Sequence, residues 1–305
     1  MFRRTAIILF ALLMLLTACA AAEATEEPDY ASVTYLDFGE RQQAYGKIKE
    51  TLALYPNLKK ADMFGTPITG RQAEELEQLF PGVEFGWTLK FGEDNHMVRT
   101  DATAFSTLHL SGSKTHGTRD VSVLRYCKKL KALDFGHNGV DDISWLTELK
   151  DLRVLIIAIN RVTDITPLAS LTKLEYLEIF NNRITDISPL KGLTHLMDLN
   201  MGFNKVADFS PLYEMKWLKR LWVHKAENRN GTGNGISQEI VDRLMKELPD
   251  CQINYTSMPS LGGWREHPHF EVIHEMFRIP AYLPFEDSYP DDVTDLMPVD
   301  EDDDK

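Results

Sequence analysis

Between Trp264 and Glu275 the chain places His267, His269 and His274 among Glu266, Glu271 and Glu275. Imidazoles and carboxylates at this density are the donor types that hold zinc or a related metal. On a helix, Glu271, His274 and Glu275 share one face at i, i+3 and i+4. Such a centre would serve a metal-dependent envelope hydrolase acting on peptidoglycan or glycans. The other face of the same helix carries Val272, Ile273, Met276 and Phe277. An apolar stripe opposite the acids and histidines describes a capping helix with a solvated outer side, so no metal or cofactor is assigned. The glycine-rich stretch from Gly231 to Gly235 has no lysine placed to cradle phosphate and reads as a surface loop. Asn230-Gly231-Thr232 is a glycosylation sequon only in a eukaryotic secretory route. No serine, histidine and acid stand in a recognisable nucleophile context, so no catalytic residue is named.

The elements around these residues are set by a period. Leu130, Leu152, Leu174, Leu196 and Leu218 stand 22 residues apart without insertion or deletion. A fixed period means one small unit stacked many times, which favours an extended binding surface over a buried catalytic pocket. Within Leu174 to Ile179 the alternation is that of a strand: Leu177 and Ile179 point to one face, and Tyr176, Glu178 and Phe180 to the other. Asn138, Asn160, Asn182 and Asn204 close successive strands and would form a ladder of amides. Asp142, Asp164, Asp186 and Asp208 suit turn or cap acceptors, and Pro167, Pro189 and Pro211 keep the return path short.

The phrase Leu-x-x-Leu-x-Leu-x-x-Asn-x-Ile-x-Asp-Ile-x-Pro-Leu, fullest from Leu152 to Leu193, resembles the short leucine-rich repeat of internalin-like bacterial surface proteins. It covers residues 105–225. The resemblance implies an α/β solenoid with parallel strands on a concave face and compact turns or short helices on the convex one. An earlier copy, read as Phe105-x-x-Leu108-x-Leu110, lies 25 residues before Leu130, with three extra residues between Ser111 and Arg119. Ser113 stands there in place of the asparagine.

Strand alternation names the outward columns. Ala132, Val154, Tyr176, Asp198 and Arg220 form the first, Asp134, Ile156, Glu178, Asn200 and Trp222 the second, and Gly136, Ala158, Phe180, Gly202 and His224 the third. Aromatic and apolar side chains in such columns are common binding anchors, with the neighbouring acids favouring cationic or hydrogen-bonding groups. Ile156, Tyr176, Glu178, Phe180, Asn200, Trp222 and His224 are therefore expected to bind a protein, peptide or glycan. The competing expectation is that the flanks or tail cover this face, or that its residues pack on one another.

Ile68 to Trp87 aligns without gaps onto Ile236 to Tyr255, each an amphipathic helix, a proline-marked stop and an alternating strand. β/α flanks with longer helices are expected at residues 33–104 and 226–279, the latter including the capping helix. The first flank also holds strand-like Tyr35 to Phe38, helix-like Glu40 to Leu54 and strand-like Leu58 to Met63, and residues 33–279 would form one continuous solenoid-like domain.

Residues 1–18 read as a secretory signal: Arg3 and Arg4, then an apolar run too short to span a bilayer comfortably. Leu16-Thr17-Ala18-Cys19 resembles the bacterial lipobox, which implies lipidation of Cys19 and residence on the outer side of a bacterial membrane. Residues 19–32 would be a flexible tether. The net charge of −13 becomes −15 once the two signal arginines are removed, and ten acids lie from Glu286 onward. Residues 280–305 are expected to be an acidic disordered tail, and an acidic surface without a basic stripe argues against nucleic acid. Cys127 and Cys251 are separated by several stacked strands, roughly 20 Å at the spacing of a sheet, so two free, buried thiols are expected rather than a bridge. The sequence reads best as an envelope lipoprotein with a binding solenoid, membrane contact being through the lipid only. The metal hydrolase and a self-associating structural module are the alternatives.

Overall fold

The computed structural model describes residues 29–93, 95–108, 116–224, 233–256 and 262–287. The signal, Cys19, Ser113 and the sequon lie outside them, as does the tail beyond Asp287. The chain divides into two compact units, residues 1–89 and 90–305.

The first unit contains β1 (Tyr35–Asp37), α1 (Tyr45–Leu52), β2 (Lys60–Thr69), α2 (Gly70–Leu79) and the start of β3 (Glu84–Phe91). β1 pairs parallel to β2 with Tyr35 opposite Lys60, in a sheet ordered β1-β2-β3-β4, where β4 is His96–Arg99. Ile48 and Leu52 of α1 and Ala73 and Leu76 of α2 are buried with Met63, Ile68 and Trp87. The helix expected from Glu40 begins only at Tyr45 because the preceding segment is committed to β2. The Gln43 N–H donates to Thr66 Oγ1 at 2.8 Å, and a Cβ on Gly65 would lie 2.1 Å from the Glu40 carbonyl carbon. Only glycine admits that approach.

In the second unit seven parallel strands form one sheet: β5 (Ala104–Ser106), β6 (Ala132–Asp134), β7 (Val154–Ile156), β8 (Tyr176–Glu178), β9 (Asp198–Asn200), β10 (Arg220–Trp222) and β11 (Gln252–Asn254). From β6 to β10 the register is the 22-residue period itself: Leu133, Leu155, Leu177, Leu199 and Leu221 stand opposite one another. These leucines are fully buried, each worth about 1.5–3 kcal/mol relative to exposure. One turn, α3 (Thr118–Val121), and tight helical turns of three to five residues make the convex side, the last four being Ser144–Glu148, Thr166–Ser170, Ser188–Leu190 and Ser210–Glu214. The proline sits in the first turn of three of them, where its missing N–H costs nothing. The aspartates cap them: Asp142, Asp164 and Asp186 Oδ1 each accept from the backbone N–H two residues on at 2.8 Å, and Asp208 Oδ1 does so at 2.9 Å.

The amide ladder forms as expected. Asn182 Oδ1 accepts from Val162 N–H at 3.0 Å, and its Nδ2 donates to Ile157 and Ile179 carbonyls at 2.9 and 3.1 Å. Asn160 and Asn204 repeat that pattern. A further rung was missed in the sequence. At the period, the position after Asn204 is Ala226; the amide comes instead from Asn234, which bonds Val206 N–H and the Met201 and Val223 carbonyls.

Two expectations about the ends need correction. Phe105 stands opposite Leu133, not Leu130, so the first copy enters three residues out of the register read from sequence. Leu108, expected in the core, is half exposed. The N-terminal flank does not extend the repeat sheet, since β1 to β4 form a sheet of their own. The C-terminal flank does extend it, with α4 (Gln238–Glu247) leading to β11 beside β10. The internal duplication is nevertheless real in shape. α2 and α4 are both ten residues long, capped by Thr69 and Ser237 at their N-termini, and end in near-identical conformations at Phe80 and Leu248.

Candidate functional site

Beyond β11, the last helix α5 (Pro268–Arg278) buries His269, Ile273, Met276 and Phe277. Its apolar stripe makes it dock, and the surface it docks on is the concave face of the repeats. Trp264, Ile273, Met276, Phe277 and Phe285 form one buried cluster with Ala104, Ala132, Val154, Ile156, Ala158, Tyr176, Phe180, Met197 and Trp222. The tail assignment is corrected accordingly: residues 280–287 are part of this packing, with Tyr282 N–H donating to Thr103 Oγ1 at 3.0 Å.

All seven expected ligand residues are buried, Ile156 at 9% exposed being the least so; Ile156, Tyr176, Phe180 and Trp222 share the cluster with the C-terminal segment, and Glu178 bonds to Trp264. Tyr176 and Trp222 each sit 5.3 Å, centroid to centroid, from the Trp264 ring. His224 packs against Phe203 at 4.4 Å. Of the two expectations for this face, an open ligand surface and a surface covered by the chain's own C-terminal part, the second describes the molecule as it stands.

The cover is polar as well as apolar. Glu178 accepts from the Trp264 indole N–H at 2.9 Å and from the Tyr176 hydroxyl. Asp198 takes a two-pronged ion pair from Arg220 at 2.8 and 2.9 Å, and His269 Nδ1 lies 2.6 Å from its Oδ2. The Arg220 guanidinium also lies over the Trp264 ring at 4.4 Å and donates to the Trp264 carbonyl at 3.3 Å. Arg153 pairs with Glu175 at 2.5 Å, and the Tyr282 hydroxyl reaches Glu175 at 3.4 Å. Asp134 accepts from Ser106 Oγ and Gly136 N–H, both at 2.9 Å.

Burial and hydrogen bonding together set the protonation of Asp134, Glu178 and Asp198. Burial raises the Asp134 carboxyl to about 7, partly opposed by the bonds from Gly136 and Ser106. It also raises Glu178, against the pull of Trp264 and Tyr176. Asp198 moves the other way: burial would raise it, but the bonds from His269 and Arg220 hold it below the ordinary carboxylate value. The fully buried Tyr176 hydroxyl is pushed well above its usual value, chiefly by desolvation.

The histidine and acid cluster is divided by the helix. His269 turns inward to Asp198, whereas Glu271 and His274 are exposed and Glu275 is tied to Arg278 at 2.6 Å. His267 caps the helix through Nδ1, which accepts from His269 N–H at 3.2 Å. Among the described residues no group of three or more histidine, cysteine, aspartate or glutamate side chains is arranged to hold a metal ion. Cys127 is buried and Cys251 half-buried, both are free, and burial pushes the Cys251 thiol up to about 12.

A two-copy leucine-rich-repeat family model matches residues 150–192 and again 172–214, and a single leucine-rich-repeat model matches 126–143. The chain carries leucine-rich repeats in these segments. Its α/β solenoid is similar to solved structures of two Listeria monocytogenes internalins. Internalin C2 is 26% identical over 68% of this chain and 75% of its own, with a TM-score of 0.41. The internalin inlF is 21% identical over 73% and 67%, with a TM-score of 0.43. A leucine-rich-repeat protein of Leptospira interrogans is 19% identical over 72% and 54%, with a TM-score of 0.42. No curated protein sequence matches the chain.

Proposed function

We propose that this leucine-rich-repeat protein is a non-catalytic, protein-binding module held on the outer side of a bacterial membrane by lipid on Cys19. The anchor rests on Leu16-Thr17-Ala18-Cys19 following an apolar signal. No helix among the described residues is long and apolar enough to cross a membrane. The binding reading rests on one observation: the concave columns form a close polar and apolar fit to a helical segment, here the chain's own. Ile156, Tyr176, Glu178, Phe180, Asn200, Trp222 and His224 remain the proposed ligand surface, reached when that segment gives way.

The test compares the wild-type chain with a Phe180→Ala variant in capture from envelope and host-surface extracts. Folded variant and wild type capturing the same protein equally would sink the concave-face reading. The anchor is checked separately by growing cells on labelled palmitate. Wild type should carry label and sediment with membranes, whereas Cys19→Ser should do neither; label retained in Cys19→Ser removes the anchor.

A further inference from the structure

The charges of the concave face are paired within the repeats themselves. Arg153 is matched by Glu175, and Arg220 by Asp198 in a two-pronged bond. Tyr176 serves Glu178, and Ser106 serves Asp134. Removing one partner of a buried ion pair is costly because it strands a charge. Lifting residues 262–287 strands none, because the segment contributes an indole N–H to Glu178, a tyrosine hydroxyl to Glu175 and an imidazole to Asp198. The face is therefore a finished, pre-paired surface onto which a helix is laid, the situation in which partners associate with little rearrangement.

The segment also follows the spacing by which helices are read in grooves. His269, Ile273, Met276 and Phe277 fall at i, i+4, i+7 and i+8 along one stripe, and all are buried. Trp264, four residues before the helix, is fully buried and is the aromatic anchor between Tyr176 and Trp222. Resting on the concave-face reading above, we infer that this face is a helix-binding groove for an amphipathic helix of a partner protein. That helix carries an indole or similar N–H anchor, then an imidazole or similar polar group at i and apolar side chains at i+4, i+7 and i+8, and residues 262–287 are the intramolecular occupant it displaces. Covalent attachment gives the resident segment a high effective concentration, so an outside helix meets a groove that is mostly filled.

The probe is a fluorescently labelled synthetic peptide of residues 262–287, titrated into the full chain. Ile273→Asp, which puts a charge on the docked face of α5 and leaves the groove untouched, should bind the peptide at least about tenfold more tightly than wild type. A peptide carrying Trp264→Ala should lose that binding. An Ile273→Asp chain with an intact repeat array by circular dichroism, yet no peptide binding, overturns the proposal. So does dimerisation of that variant in light scattering, which would assign the groove to a second copy of the chain. Should the variant fail to fold, hydrogen exchange on wild type decides. Amides of α5 should exchange through a local opening, faster than those of β7 to β9; equal protection overturns the proposal. Peptide binding without Phe180-dependent capture from extracts supports the groove and removes the envelope-partner reading. Capture without peptide binding does the reverse.

Discussion

The two faces of the seven-stranded sheet are both buried, but by different means. On the inner face Leu133, Leu155, Leu177, Leu199 and Leu221 are enclosed by the return path of their own repeats, beside the uncharged amides of the asparagine rungs. On the concave face Asp134, Glu178 and Asp198 lie among Tyr176, Phe180 and Trp222, enclosed by a segment that arrives after the last strand. Burial by neighbouring repeats needs only hydrophobic area. Burial by a distant segment over a polar face needs every acid answered by a donor or a proton, so it carries pH dependence that the inner face lacks.

The largest effect expected is on the inner face. Leu199→Ala should lower global stability by about 4 kcal/mol through lost transfer energy and the cavity left behind. The shift should appear in the denaturant midpoint at unchanged slope. Asn182→Ala, which removes a rung, should cost about 3 kcal/mol because the Val162 N–H and the Ile157 and Ile179 carbonyls lose their partner inside the protein. A loss as small as that of a surface substitution would show that the ladder is incidental to the stack.

On the concave face the sign reverses. Asp134 has a folded value near 7 against 3.8 unfolded, burial being the main cause. From about pH 4 to pH 7 the folded chain keeps a proton that the unfolded chain has lost, so this group lowers stability as pH rises, with no further change above. Asp134→Asn removes the penalty and can still accept from Gly136 N–H and meet Ser106 Oγ. It should raise stability at pH 8 and change it little at pH 4. The raised Glu178 adds to the same slope, while the lowered Asp198 adds stability that is lost as pH falls through its folded value. Urea unfolding at both pH values measures this, and an equal effect at both would place Asp134 in contact with solvent. The smallest effect belongs to the turn after each strand. Asn181 has φ near 54°, a left-handed conformation that asparagine tolerates, and Asn181→Ala should cost about 1 kcal/mol in thermal unfolding.

What was legible in the residues follows the same division. Leucine spacing, the asparagine rungs, the aspartate caps and the twin β/α units are local and periodic, and each appears where its spacing places it. Cover of the concave face is neither. Ile273, Met276 and Phe277 announce a helix that must dock, but a stripe does not name its acceptor. Phe285 stands immediately before acids, within the expected tail, although it lies 5.0 Å from the His269 ring in a stacked arrangement. The aromatic columns that suggested a binding surface also suit a surface already in use, because burying apolar area is favoured whichever chain supplies the other half. The shifted entry of Phe105 had no local signal, since Leu108 offered a plausible but unused register.

Asn234 completes the ladder 30 residues after Asn204 rather than 22. A stack that accepts its rung from either distance is indifferent to how much chain intervenes, provided the amide returns to Val206. Lengthening a closed loop twofold costs only about 0.6 kcal/mol in chain entropy. The 30-residue step from Asn204 to Asn234 thus shows a solenoid that takes on extra chain between two rungs without losing either of them.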